Sequence, residues 1–223
     1  MVKNESREIG TNDARSRLVS SALRLFAEKG FKAASTREIC EAAGTNISAI
    51  RYYFSDKAGL YRAMFTESMS ETKPYANNIL TYLELPLADA LCKFFSEFLE
   101  PLKKGEEIKL VMKLHFREMV EPTGIRPQGK DSNIKPQHEI LVAILKQHLN
   151  LPQLDADVQR LAFAIIGMAV HFYVGQDVVS AISPSLLNTP EAIDMLAERL
   201  AGYALSIIDG EVRRRGYNSY DEL

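Results

Sequence analysis

Residues 35–57 read STREICEAAGTNISAIRYYFSDK, and this stretch decides the fold. Ser35 and Glu38 stand three apart, the spacing of a capping box. In that motif the serine oxygen takes the Glu38 amide and the carboxylate returns to the serine amide. A helix is therefore predicted from Thr36 to Gly44, where glycine supplies the left-handed backbone a sharp reversal needs. Asn46 is placed to cap a second short helix from Ile47 to Phe54. Two short helices joined by a Gly44–Thr45 turn make a helix-turn-helix over residues 36–54, the geometry that lets the second helix enter a DNA major groove while the first braces it.

Working outward, every long periodic segment has the helical period and none alternates for long, so the chain is predicted to be all-α, with about nine helices. The first helix is expected from Asp13 to Lys29, on the stripe Leu18, Val19, Ala22, Leu25 and Phe26, with Gly30 as its stop and Phe31 folding back. A fourth begins near Asp56 and is open to continuation past Pro74 with a kink. A fifth follows Pro86, and a sixth covers residues 107–120. The Pro- and Gly-rich segment 122–136 is expected to be a long loop before a seventh helix at 137–149. An eighth is expected at 155–175, with LAFAIIGMAVHFYV apolar on every side except at His171, which predicts burial all round. A ninth, capped by Thr189 and Pro190, runs to Arg214.

Composition narrows the function. The 223 residues are 46% hydrophobic and 25% charged, with net charge −2, the profile of an ordinary globular chain. Residues 1–66 carry eleven basic side chains against seven acidic ones, so a basic segment precedes an acidic body, a distribution that suits a small nucleic-acid reader joined to a domain binding something else. Cys40 and Cys92 have no CxxC partner, so neither a disulfide framework nor a zinc site is indicated. No uninterrupted apolar run reaches the length of a membrane span, and a cytoplasmic protein is expected. P-loop, GxSxG, HExxH and dinucleotide-binding patterns are missing, so no catalytic residue and no cofactor is assigned.

Within the helix-turn-helix the residues divide by chemistry. Asn46, Ile47, Ser48 and Ala49 are short enough to let the helix approach base edges, and Ile47 or Ala49 suits thymine methyls. Arg51, a fork-shaped donor, fits guanine or a phosphate. Thr36, Arg37, Tyr52, Tyr53 and Lys57 suit phosphate contacts that fix register. The run 14–65, with ARSRLVSSALRLFAEKGF, TREICEAAG, YYF and SDKAGLY, resembles the DNA-binding region of the TetR family of repressors. The resemblance implies phosphate contacts at Tyr53 and Lys57 and base-facing positions at Ile47, Ser48, Ala49 and Arg51. Family members often carry an aromatic residue where this chain has Arg51, so base preference does not transfer. HFREMVEPT (115–123) and AIIGMAVHFYVGQDV (164–178) are similar to a subgroup typified by CecR/CerR-like regulators.

Residues 1–56 are accordingly expected to bind DNA, and 57–223 to bind an effector and dimerise. An apolar or aromatic small molecule is expected among Met112, His115, Phe116 and Met119 on one helix and Phe163, Gly167, Met168 and His171 on another. A homodimer is expected through Ile165, Phe172, Leu196, Leu200, Ala204 and Ile207, because the last long helices carry more apolar surface than one subunit covers. His115 and Glu118 at i and i+3, with His171, have the ligand types of a metal set; a salt-bridged or capped pair is the simpler reading, and no metal is assigned. Two functions follow: a dimeric repressor on a palindromic operator, released by its effector, or a helical ligand-binding protein or enzyme whose N-terminal unit is an interaction module.

Overall fold

A computed structural model describes the backbone of residues 2–67, 79–125 and 134–216, with side chains from residue 13 onward in the first range and from 136 in the last. Among the described residues there are eleven α-helices, one 3-10 turn and no strand. The helices are α1 Val2–Ala33, α2 Thr36–Ala43, α3 Ile47–Phe54, α4 Lys57–Glu67, α5 Leu80–Leu83, α6 Leu87–Lys103, α7 Glu106–Val120, α8 Ile134–His148, α9 Ala156–Val174, α10 Gln176–Ile182 and α11 Pro190–Arg214. They fall into two compact units, one holding α1 to α4 and α7, the other α5, α6 and α8 to α11.

The first unit is built around α1. Its stripe of Leu18, Ala22, Leu23 and Phe26 is fully covered, and Ile39, Ile50, Leu60 and Met64 from the next three helices close on it. Gly30 breaks the helical path at φ 78° and ψ 168°, and the Phe31 ring folds back to 6.0 Å from Phe26 and 5.0 Å from Tyr61. Polar contacts fix the neighbours to α1. Arg17 Nε donates to the Ala43 carbonyl at 3.0 Å, and Lys29 pairs with Glu38 at 2.9 Å.

α7 joins this unit through a buried carboxylate. Tyr61 Oη donates to Glu118 at 2.8 Å, while the Thr123 amide and hydroxyl both donate to the other carboxylate oxygen at 2.9 Å. Glu118 thus ties the segment after α7 to α4. His115 Nδ1 lies 2.9 Å from the Val111 carbonyl of its own helix, and its ring meets Phe65 edge-on. Both residues are thus engaged within the first unit.

In the second unit α11 packs chiefly on α6, whose Phe94, Phe95 and Phe98 line the core, and α8 packs on α9. The Tyr173 hydroxyl donates to the Phe98 carbonyl at 2.5 Å. Asp155 caps α9 through the Val158 amide and holds Arg215 by two hydrogen bonds, which ties the start of α9 to the end of α11.

Several expectations shift. α9 is not covered all round: Phe163 is 62% exposed and Val174 57%, and Ala164, Gly167 and His171 also face outward. The helix touches neighbours on one side only, so uniform apolarity gave no measure of its coverage. α5 and α10 were not foreseen. α8 begins at Ile134, three residues before the sequence estimate. The passage of α4 beyond Glu67 towards Pro74, and the middle of the expected loop 122–136, lie outside the described residues.

Candidate nucleic-acid interface

The α2–α3 corner is organised by its caps. Ser35 Oγ accepts from the Glu38 amide and Glu38 from the Ser35 amide, both at 3.1 Å. The Glu38 carboxyl is held below its usual range, first by the hydrogen bond from Lys29 and then by the Ser35 contacts. At the other end Gly44 adopts φ 63° and ψ 38°. Its amide donates to the Glu41 carbonyl and that of Thr45 to the Cys40 carbonyl, at 3.2 and 2.9 Å, closing the helix in a Schellman turn. Asn46 then caps α3 by accepting from the Ala49 amide at 3.2 Å, and it also takes the Ser48 hydroxyl.

This fixes which side of α3 faces out. Ile50 and Phe54 are buried, with the Arg15 guanidinium 5.1 Å above the Phe54 ring. The opposite face presents Ile47 at 58% exposure and Tyr52 at 78%, together with Asn46, Ser48 and Arg51. Ala49 is half-buried. Positions 47, 48, 51 and 52 fall on one side of the 3.6-residue period, so Ile47, Ser48 and Arg51 form a continuous exposed strip with Tyr52 beside them. Thr36 and Arg37 lie in the first turn of α2, where the positive helix end favours phosphate. The Arg37 side chain is 81% exposed and pairs with Glu41 at 2.9 Å.

Tyr53 and Lys57 sit deeper. Tyr53 is half-buried and meets Tyr52 edge-on at 4.8 Å. The Lys57 ammonium lies 4.5 Å from the centre of the Phe31 ring, and burial pushes it below its usual range. The turn that delivers Lys57 is tight. Ser55 takes φ 70°, Asp56 accepts from the Gly59 amide at 2.6 Å, and a Cβ on Gly59 would lie 1.8 Å from the Phe54 carbonyl oxygen. The sequence reading passed over Gly59, although a glycine in the first turn of a helix was the signal.

The residues expected at an effector site divide between the two units. On α7, His115 and Phe116 are buried, Met112 is half-buried and Met119 is exposed. On α9, Phe163, Gly167 and His171 are exposed and Met168 is half-buried. The expected interface residues Ile165 on α9 and Leu196, Leu200 and Ala204 on α11 are buried in the chain's own core, and α11 packs chiefly on α6. Phe172 is half-buried, and Ile207 is 38% exposed. The outward face of α11 carries Met195 and Tyr203 beside Ile207. Gln137, also overlooked, lies on the covered side of α8, and its Oε1 is buried without a hydrogen-bond partner among the described residues.

A capped helix-turn-helix braced by a third helix, followed by a separate helical unit, defines a helical DNA-binding regulator. Residues 18–64 match the bacterial regulatory proteins of the tetR family, and residues 87–210 match the C-terminal domain of the HTH-type transcriptional dual regulator CecR. The chain belongs to the TetR family of transcriptional regulators, with a C-terminal domain of the CecR type. It is 26% identical over 188 residues to the HTH-type transcriptional dual regulator CecR of Shigella flexneri, a match covering 80% of this chain and 83% of that protein. Its fold is similar to that of a TetR-family transcriptional regulator from Bordetella parapertussis, with a TM-score of 0.60 at 18% identity over 86% of this chain and 93% of the other. It is also similar to AibR in complex with isovaleryl coenzyme A and operator DNA, with a TM-score of 0.52 at 16% identity over 72% and 85% of the two chains.

Proposed function

We propose that the chain is a homodimeric repressor that binds a palindromic operator and leaves it when a small apolar or aromatic molecule binds residues 57–223. The observation that carries the DNA-facing half is the exposed strip of α3. Ile47, Ser48 and Arg51 read base edges, and Asn46 sets the helix start beside them. Ala49 lies at the margin of the strip, within reach of a thymine methyl. Thr36, Arg37, Tyr52, Tyr53 and Lys57 hold phosphates. Lys57 leans on Phe31 and has to extend from that ring to reach the backbone.

Dimerisation supplies the second reader. Two recognition helices must be held about 34–36 Å apart to enter successive major grooves. The proposed contact uses Phe172 and Ile207 together with the outward apolar residues of α9 and α11, since Ile165, Leu196, Leu200 and Ala204 are covered within the subunit. An apolar helix face left open on a single chain is the usual mark of a self-complementary interface.

The effector is proposed to meet Met112, His115, Phe116 and Met119 or Phe163, Gly167, Met168 and His171, side chains that adapt to apolar or planar ligands. Gln137 adds a polar anchor, because a buried acceptor with no partner among the described residues gains when a ligand brings a donor to it. AibR, of the same fold, was crystallised with both an acyl coenzyme A and its operator. The test is retardation of DNA fragments from upstream of the chain's own gene. Salt-sensitive shifts to a palindrome are expected. Failure to retard any such fragment at low salt would count against the repressor. Turnover of a small molecule by a variant carrying Arg51→Ala and Tyr53→Ala would favour the alternative enzyme reading.

A further inference from the structure

A cavity of about 510 Å³ opens inside the first unit, away from the outward strip of α3. Among the described residues it is lined by the end of α1 and the turn after it, from Lys29 to Ala33, by Tyr61 on α4, and by Arg117, Glu121, Pro122 and Thr123 at the end of α7. Its size matches pockets that hold a whole small molecule rather than a bare ion. Its lining carries three cationic residues, Lys29, Lys32 and Arg117, and one acid, Glu121, while Phe31, Ala33 and Pro122 supply an apolar wall.

We propose that this cavity binds a small organic carboxylate carrying a flat apolar body, at a site separate from the effector residues discussed above. Arg117 is the anchor. Its Nη1 donates to the Glu28 carbonyl at 3.2 Å, and the bare Cα of Gly30 lets the guanidinium lie against the backbone, where a Cβ would be 2.8 Å from Nε. One edge of the fork is thus fixed by the end of α1. The other meets Glu121 only at 3.5 Å, in a pair whose acid is 69% exposed, a contact that costs little to exchange for a ligand carboxylate. The phenol of Tyr61 is already committed to Glu118, so Tyr61 contributes its ring edge to the wall.

The site has a route to the DNA-facing helices. Lys29 holds Glu38, and Glu38 closes the capping box at the start of α2, the turn that carries Thr36 and Arg37. A carboxylate competing for Lys29 loosens that turn. This consequence rests on the proposed DNA contacts; the binding itself does not.

Isothermal titration of the full chain with 2-naphthoate and with the matched neutral 2-naphthamide tests the site. Saturable naphthoate binding is expected, with the amide about tenfold weaker or worse. Arg117→Gln and the exposed Lys32→Gln should each weaken naphthoate at least several-fold, with helix content checked by circular dichroism, while Arg199→Gln on the exposed side of α11 leaves it unchanged. Absence of saturable naphthoate binding at millimolar concentration overturns the proposal, as does equal binding of acid and amide. So does binding that survives both cavity substitutions but is lost on His171→Ala, which would move the ligand to the effector residues. If naphthoate binds as predicted but leaves operator affinity unchanged, the site stands and the link through Glu38 is wrong. If no DNA is bound under any condition, the repressor reading fails independently.

Discussion

At the residue scale the division of labour on α3 is open to direct measurement. Arg51 stands on the exposed strip, so Arg51→Ala should erase base discrimination worth about 1–3 kcal/mol at one position of the half-site. Lys57→Ala should instead weaken every DNA sequence alike and reduce the salt slope by about one. Binding selections at several salt concentrations separate the two, and equal losses across all sequences in both variants would refute the division. Gly59 makes a sharper structural prediction. A methyl group there collides with the Phe54 carbonyl oxygen, a main-chain atom that cannot swing aside, so Gly59→Ala should destabilise the first unit by about 1–3 kcal/mol in urea unfolding. An unchanged midpoint would mean that the α3–α4 turn is far softer than its geometry implies.

At the element scale, what the sequence disclosed depended on range. Ser35, Glu38, Gly44, Asn46 and Thr189 announced their helix ends because a cap acts within three or four residues, and all five do so in the structure. Glu118 was harder to read, since its partner Tyr61 lies 57 residues away and no local pattern links them. α9 shows a different limit: hydropathy reports how apolar a helix is but not how many sides its neighbours cover. The Leu196, Leu200 and Ala204 stripe was correctly apolar, but α6 of the same chain takes it.

Two predictions belong to this scale. Tyr61→Phe removes a hydrogen bond from a carboxylate that is only 5% exposed. It should cost about 1.5–3 kcal/mol by chemical denaturation, the range for hydrogen bonds to charged groups, and a neutral effect would show that Glu118 finds another donor. Asp155 has its carboxyl held well below the usual range, first by the Arg215 hydrogen bond and next by the Val158 amide. A depressed folded-state value means the contribution is fully present above the ordinary carboxylate pKa of about 4 and is lost as the pH falls towards the folded value. Denaturation midpoints measured between neutral and strongly acidic pH should therefore drop less steeply for Asp155→Asn than for the parent. Parallel curves would contradict the assignment.

At the scale of the whole molecule, the proposal makes the helix-turn-helix of one chain the reader of half a site. In the proposed dimer the exposed strip of α3 supplies the reader, and the open apolar faces of α9 and α11 hold two readers together. Family membership makes the chain a transcriptional regulator. The proposal adds that each copy contributes one reader at a fixed spacing. The most direct test is a hydroxyl-radical footprint of the full chain on a retarded upstream fragment, repeated with Tyr203→Glu on the outward face of α11. The account predicts two symmetric protected patches centred about 10 bp apart or a whole multiple of the helical repeat, both lost together in the variant. A single protected half-site, or a two-patch footprint that the variant leaves intact, would contradict it.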